Sequence, residues 1–245
     1  MKRISIVTFL LLIFGILLVS AEDKDKDQKP DFDSLEKCAQ FLYSMEESYS
    51  KVKSYKSLTT KRIRITKELR KKEIIEVYFM KPYSIRLNQL SSKKKMQVIY
   101  QRGANNGKML VQVETLFGKL VRIKLDPECK LARKNQLRTI KEASIGYVIK
   151  LINSNIRKGV RENKLSLEYL GSEEKFDSTL YIFEGKFSGS KDDGFFCKKA
   201  TLKIDSKLIL PREIIIFDWD GKIREWYEYL TIEINPGLTE QDFKF

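Results

Sequence analysis

The sequence predicts an α+β protein, a highly curved antiparallel sheet forming an open (incomplete) β-barrel of about eleven strands with helices covering the concave side. Three observations lead there. Short runs with a period of two, divided by turn signals, recur along most of the chain. Two segments with helical spacing interrupt them. The stretch "IIIFDWDGKIREWYEYLTIEIN", 214 to 235, reads as a hairpin apolar on one face and half apolar on the other.

The elements follow in order. Lys2 and Arg3 precede an uncharged apolar run from Ile4 to Val19, and Val19-Ser20-Ala21 supplies the small residues of a cleavage site. Residues 1–21 are therefore expected to be a signal peptide cut after Ala21, and the folded part to be exported to the periplasm. An uncleaved anchor is the alternative, for which the run is short. Residues 22–33, "EDKDKDQKPDFD", are charged and aperiodic, the composition of a disordered leader. Residues 34–245 are then a single domain. Ser34 caps a helix on which Leu35, Cys38, Ala39, Phe41, Leu42, Met45 and Tyr49 share a face.

The period then changes to two. In "EIIEVYFM", Ile75, Val77 and Phe79 share one face, and Ile74, Tyr78 and Met80 share the other with Glu76. Turn signals at 69–72, 91–95, 103–108, 117–119 and Asp220-Gly221 divide the runs, with about six strands before residue 126 and about five after 163. Between the groups Ser144 caps a second helix carrying Ile145, Val148, Ile149, Ile152 and Ile156. Simple alternation on the last strand places Trp226, Leu230, Ile232 and Ile234 on one face and Tyr227, Tyr229 and Thr231 on the other. Glu228 then falls on the apolar face, which requires a bulge or a cationic partner such as arginine.

Composition narrows the chemistry. Lys+Arg at 47 against Asp+Glu at 33 gives a net charge of +14, which favours anionic surfaces. There is no histidine, so most catalytic triads, proton shuttles and many metal sites are excluded. Cys38, Cys129 and Cys197 lack metal-ligand spacing. An oxidising compartment allows one disulfide among them without selecting the pair, and three small buried hydrophobes is the other reading. No cofactor is expected.

Several phrases carry a family resemblance: "SYSKVKSYKS", "YFMKPYSIRLNQ", "VIYQRGANNGKMLVQ", "LDPECKLARKNQLRTIKEASIGYVIKLI" and "LPREIIIFDWDGKIREWYEYLTIEINPGLTEQDF". In their order the chain resembles the LolA/LolB-like carriers of outer-membrane lipoproteins. It resembles more closely an uncharacterised family of secreted bacterial proteins grouped with them. The resemblance implies an unclosed barrel with helices across its mouth and an apolar space that receives acyl chains. It also implies a basic residue before the strand-three proline that governs the lid. Here that position is Lys81, before Pro82, where the carriers have arginine. Lysine lacks the planar fork of arginine, and Arg86 is a nearby substitute.

The function expected is a non-enzymatic periplasmic binding protein or chaperone for an acyl-chain lipid or a lipidated protein. Val77, Phe79, Ile85, Leu87, Trp226 and Leu230 are expected to line its cavity. The alternative is an envelope lipid or lipoprotein sensor acting through a protein partner. A hydrolase would have to use Asp218, Asp220, Glu225 and Glu228, the first two of which read as turn residues and the third as a solvated side chain. The basic clusters 61–64, 67–72 and 92–96 suit an anionic membrane surface or an envelope receptor, and export argues against nucleic acid.

Overall fold

A computed structural model describes residues 31–245, of which Phe32–Phe245 form one compact unit. The expected signal peptide and the leader up to residue 30 lie outside the described residues. No helix among the described residues is long and apolar enough to cross a membrane.

The chain runs through α1 (Leu35–Ser50), then six strands: β1 (Ser54–Ile63), β2 (Glu73–Met80), β3 (Ser84–Gln89), β4 (Met96–Gln101), β5 (Met109–Glu114) and β6 (Leu120–Leu125). A short α2 (Lys130–Arg133) and α3 (Ile145–Arg161) follow. The last five strands are β7 (Leu165–Lys175), β8 (Ser178–Phe187), β9 (Lys199–Asp205), β10 (Pro211–Phe217) and β11 (Ile223–Ile234). All eleven belong to one antiparallel sheet in the order β6-β5-β4-β3-β2-β1-β11-β10-β9-β8-β7. β6 and β7 are its unjoined edges, so the barrel stays open. The first and last strands of the chain meet in the middle, and the interlude between β6 and β7 spans from one edge to the other.

Both helices begin where the sequence places their caps. The Ser34 hydroxyl accepts from Lys37 N–H at 3.3 Å and that of Ser144 from Tyr147 N–H at 3.2 Å. Leu42 and Met45 on α1 and Ile145 and Ile149 on α3 are almost fully buried, each contributing about 1.5–3 kcal/mol. The helices cross closely because α3 carries Gly146: a Cβ there would stand 2.2 Å from the Tyr49 ring of α1. Arg157 on α3 donates two hydrogen bonds to Glu46 on α1, at 2.9 and 2.8 Å. Phe32, at the end of the expected leader, packs against Phe41, Tyr169 and Phe183, with ring centroids 5.0, 4.8 and 5.1 Å away.

The last strand departs from simple alternation. Leu58 of β1 pairs with Thr231 and Thr59 with Tyr229, which leaves Leu230 as the extra residue of a β-bulge. Beyond it the faces exchange. Ile232 and Ile234 lie opposite Ser57 and Tyr55, on the same side as Tyr229 and Tyr227, which lie opposite Thr59 and Lys61. Trp226 and Glu228 stand on the other side. Glu228 has its cationic partner as well: Lys175 donates to it at 2.6 Å and Lys72 lies 3.8 Å away, lysines rather than an arginine.

Candidate functional site

Side-chain register builds an apolar floor. Val77, Leu87, Val98, Val111 and Ile123 sit directly opposite one another across β2 to β6. A second row, Ile75, Gln89, Met96 and Val113, runs beside it. These short side chains do not reach what lies above them, and a cavity of about 420 Å³ remains. Its far wall is Tyr227 and Tyr229 of β11, turned inward by the register that the bulge imposes.

The roof is the segment between β6 and α3. Pro127, Leu131, Ala132, Leu137 and Ile140 face the cavity from irregular backbone, α2 and a short 3-10 turn. An irregular segment lacks the continuous apolar stripe with which a long helix would plug the space. Its end nearer α3 is firmly held: Tyr83 Oη donates to the Ile140 carbonyl at 2.8 Å, and Ile145 N–H donates to Tyr55 Oη at 3.1 Å. Nearer α2, Lys61 donates to Gln136 at 2.8 Å, while Leu131 is 60% exposed.

One buried ion pair fastens the middle of the roof. Arg138 Nε and Nη2 donate to Glu225 at 2.9 and 3.4 Å, and Tyr227 Oη donates to the same carboxylate at 2.9 Å. Burial opposes the Arg138 charge, but Glu225, together with Tyr227 and Tyr147, more than offsets it and the guanidinium pKa is raised. Burial, and then Glu225, push the Tyr227 hydroxyl well above its ordinary range; burial does the same to Tyr229. Burial alone would raise Glu142, but hydrogen bonds from Thr139 and Tyr147 leave it lowered. Arg138, Val148 and Tyr227 also border a second, almost wholly apolar space of about 60 Å³ between α3 and β7 to β10.

The structure treats the expected lining residues differently. Val77 and Leu87 border the cavity. Phe79 and Ile85 lie beside it in solid core, where Phe79 stacks on Tyr55 at 5.1 Å and meets Tyr83 edge-on at 5.4 Å. Trp226 is a correction: it lies on the opposite face, donating to Glu213 at 2.8 Å with Arg62 over its ring. Leu230 is another, being the bulge residue and no part of the lining. Both errors come from carrying a period of two through a bulge.

The basic pair also has other partners. Lys81 donates to the Tyr49 and Ser50 carbonyls at 3.0 and 2.9 Å, tying the C-terminus of α1 to the end of β2. Arg86 faces away from the roof, over the Tyr78 ring and within hydrogen-bond reach of Asn88 and the Asp242 carbonyl. Three of the four carboxylates considered for hydrolysis have separate structural partners. Asp218 accepts from two backbone N–H groups of its turn, Asp220 lies in that turn, and Glu225, which is buried rather than solvated as expected, and Glu228 hold Arg138 and Lys175. No group of three acidic, thiol or imidazole side chains among the described residues is placed to hold a metal ion. All three cysteines are free thiols, Cys38 and Cys197 buried.

A family model described as a protein of unknown function, DUF1571, matches residues 52–245. The chain belongs to the DUF1571 family. No curated protein matches it. Among solved structures this DUF1571 protein is similar to MucB, with a TM-score of 0.53, 11% identity, and coverage of 87% of this chain and 64% of that one. It thus spans less than two thirds of the MucB chain. The Mycobacterium tuberculosis lipoprotein LppX follows, with a TM-score of 0.48, 11% identity and coverage of 84% and 99%. A LolA superfamily protein from Nitrosomonas europaea is also similar, at 0.35, 10%, 85% and 97%. At such identities the likeness to MucB is one of fold.

Proposed function

We propose that this DUF1571 protein is an exported, non-enzymatic binding protein whose cavity takes the acyl chain of a lipid or of a lipidated protein. The observation that carries the reading is the space itself: about 420 Å³ over two rows of side chains that are apolar apart from Gln89, under a roof of irregular backbone. Apolar cavities of only ~150 Å³ already hold benzene. Val77 and Leu87, with Val98 and Val111, are the residues proposed to contact the chain. Export rests on Lys2, Arg3 and the apolar run from Ile4 to Val19.

Magnitudes set the length of the ligand. Association costs at least ~4 kcal/mol, and a buried methylene returns about 0.8, so about five methylenes barely break even. About ten contribute ~8 kcal/mol and leave a usable surplus. The ligand class is therefore a long single chain or one arm of a lipid. MucB, the similar protein, is seen in a Pseudomonas aeruginosa complex with MucA. A protein partner that reads the loaded or empty state is the sensor form of the same proposal.

The test is displacement of a fluorescent fatty acid by unlabelled fatty acids of increasing length. Affinity is expected to rise steeply up to ten or more carbons, and a Val98→Trp variant that plugs the floor is expected to lose at least tenfold. Binding that ignores both chain length and the plug would refute the reading.

A further inference from the structure

The β1–β2, β3–β4 and β5–β6 turns lie at one end of the sheet, because each joins an outgoing strand to a returning one in a series of antiparallel hairpins. Each presents apolar side chains to solvent there. Ile65 is 38% exposed, Leu90 55%, Leu116 83% and Phe117 89%. Around them Lys67, Arg70, Lys71, Lys72, Lys93, Lys94, Lys95 and Lys119 are exposed, against Glu68 as the one exposed carboxylate in the same turns.

The most prominent tip is built rigidly. Thr115 N–H donates to the Lys119 carbonyl at 2.8 Å, and Gly118 N–H to the Thr115 carbonyl at 3.2 Å. Gly118 takes the left-handed φ of +73° that the turn needs. Leu116 and Phe117 therefore project from a closed hairpin. The neighbouring lysine turn is tied to it: Glu114 N–H donates to the Lys95 carbonyl at 2.9 Å, and Lys95 N–H to the Glu114 carboxylate at 3.2 Å.

We infer that this end of the sheet docks on an anionic lipid bilayer, with Leu116 and Phe117 inserted and the lysines against headgroups. Separate apolar tips ringed by cations match a charged interface that is greasy just beneath, since lysines supply attraction and the tips supply depth. Position supports this too. The cavity lining includes Ile63, Glu73, Gln89 and Met96, the strand ends from which the first two of these turns spring, so the docked end is also an end of the cavity. The inference does not depend on what the cavity holds.

The test uses the chain purified from the envelope and vesicles of phosphatidylglycerol and phosphatidylethanolamine, with phosphatidylcholine vesicles as control. Sedimentation is expected to favour the anionic vesicles at least tenfold at low salt, and the preference to fade as salt rises. At about fivefold per lysine near the surface, Lys93→Gln/Lys94→Gln/Lys95→Gln loses ~100-fold. A Phe117→Trp variant gains an indole whose emission shifts to the blue and is quenched by brominated lipid. Leu116→Ser/Phe117→Ser weakens anionic-vesicle binding about tenfold, while fatty-acid displacement stays as in the native chain, which separates this proposal from the cavity reading. Equal binding to both vesicle types, or an indole at the hairpin tip whose emission is indifferent to brominated lipid, would overturn it.

Discussion

Replacing Arg138 with methionine tests the fastening of the roof. Glu225 has a side-chain exposure of 1% and Arg138 of 12%, so neither charge is well hydrated. Methionine keeps most of the apolar stem that packs under Phe196, whose ring lies 4.7 Å from the guanidinium. The change therefore removes mainly charge and leaves Glu225 with the Tyr227 hydroxyl at 2.9 Å as its near hydrogen-bond donor. Breaking a buried pair from one side costs about 3–5 kcal/mol, because the remaining charge stays in the interior. Removing both charges together, as Arg138→Met/Glu225→Gln, restores stability to within about 1 kcal/mol of the native chain. Urea unfolding of the four proteins gives the coupling energy directly, with a value of about 2 kcal/mol or more expected. A single variant that costs under about 1 kcal/mol, or a double variant no better than the single, would refute the claim that this pair holds the roof.

Three further outcomes follow from named contacts. Gly146→Ala forces its methyl into the Tyr49 ring and is expected to cost about 1–3 kcal/mol in urea unfolding, whereas an exposed helical glycine would gain from the change. Iodoacetamide at pH 8 is expected to modify Cys129 first, because burial pushes the Cys197 thiol up to about 12 and raises Cys38 as well. Rapid alkylation of all three in the folded protein would contradict this. Hydrogen bonds from Lys164 and Ser190 hold Asp193 down at about 2, and Arg157 lowers Glu46. Both are depressed carboxylates, so their stabilisation is complete above the unfolded values near ~4 and is lost as pH falls through the folded ones. The thermal midpoint is expected to be level above about pH 5 and to drop between about 4.5 and 2, and a midpoint rising over that range would contradict the assignment.

Much of the fold is legible in the sequence because its signals are local. Ser34 and Ser144 sit where helical spacing starts, Asp220-Gly221 marks the last hairpin, and alternation sorts Val77 from Tyr78. The site is less legible because it depends on register and on one bulge. Nothing in "EWYEYLTIEI" announces that Leu230 is an extra residue. The signal is indirect: Glu228 on a face otherwise apolar, and tyrosines where polar residues are due. The floor has a clearer signal. Once Val77 faces inward, pairing β2 through β5 carries Leu87, Val98 and Val111 in with it. Arg138 gives no local sign, since its partner Glu225 lies 87 residues away in the chain.

The most direct measurement is native mass spectrometry of the protein taken gently from its native cells, beside the Val98→Trp variant prepared the same way. An occupied space predicts close to one acyl-bearing molecule per native chain and a markedly smaller share on the plugged variant. Native chains that emerge empty, and that also take up no long-chain fatty acid when it is supplied, would contradict the account.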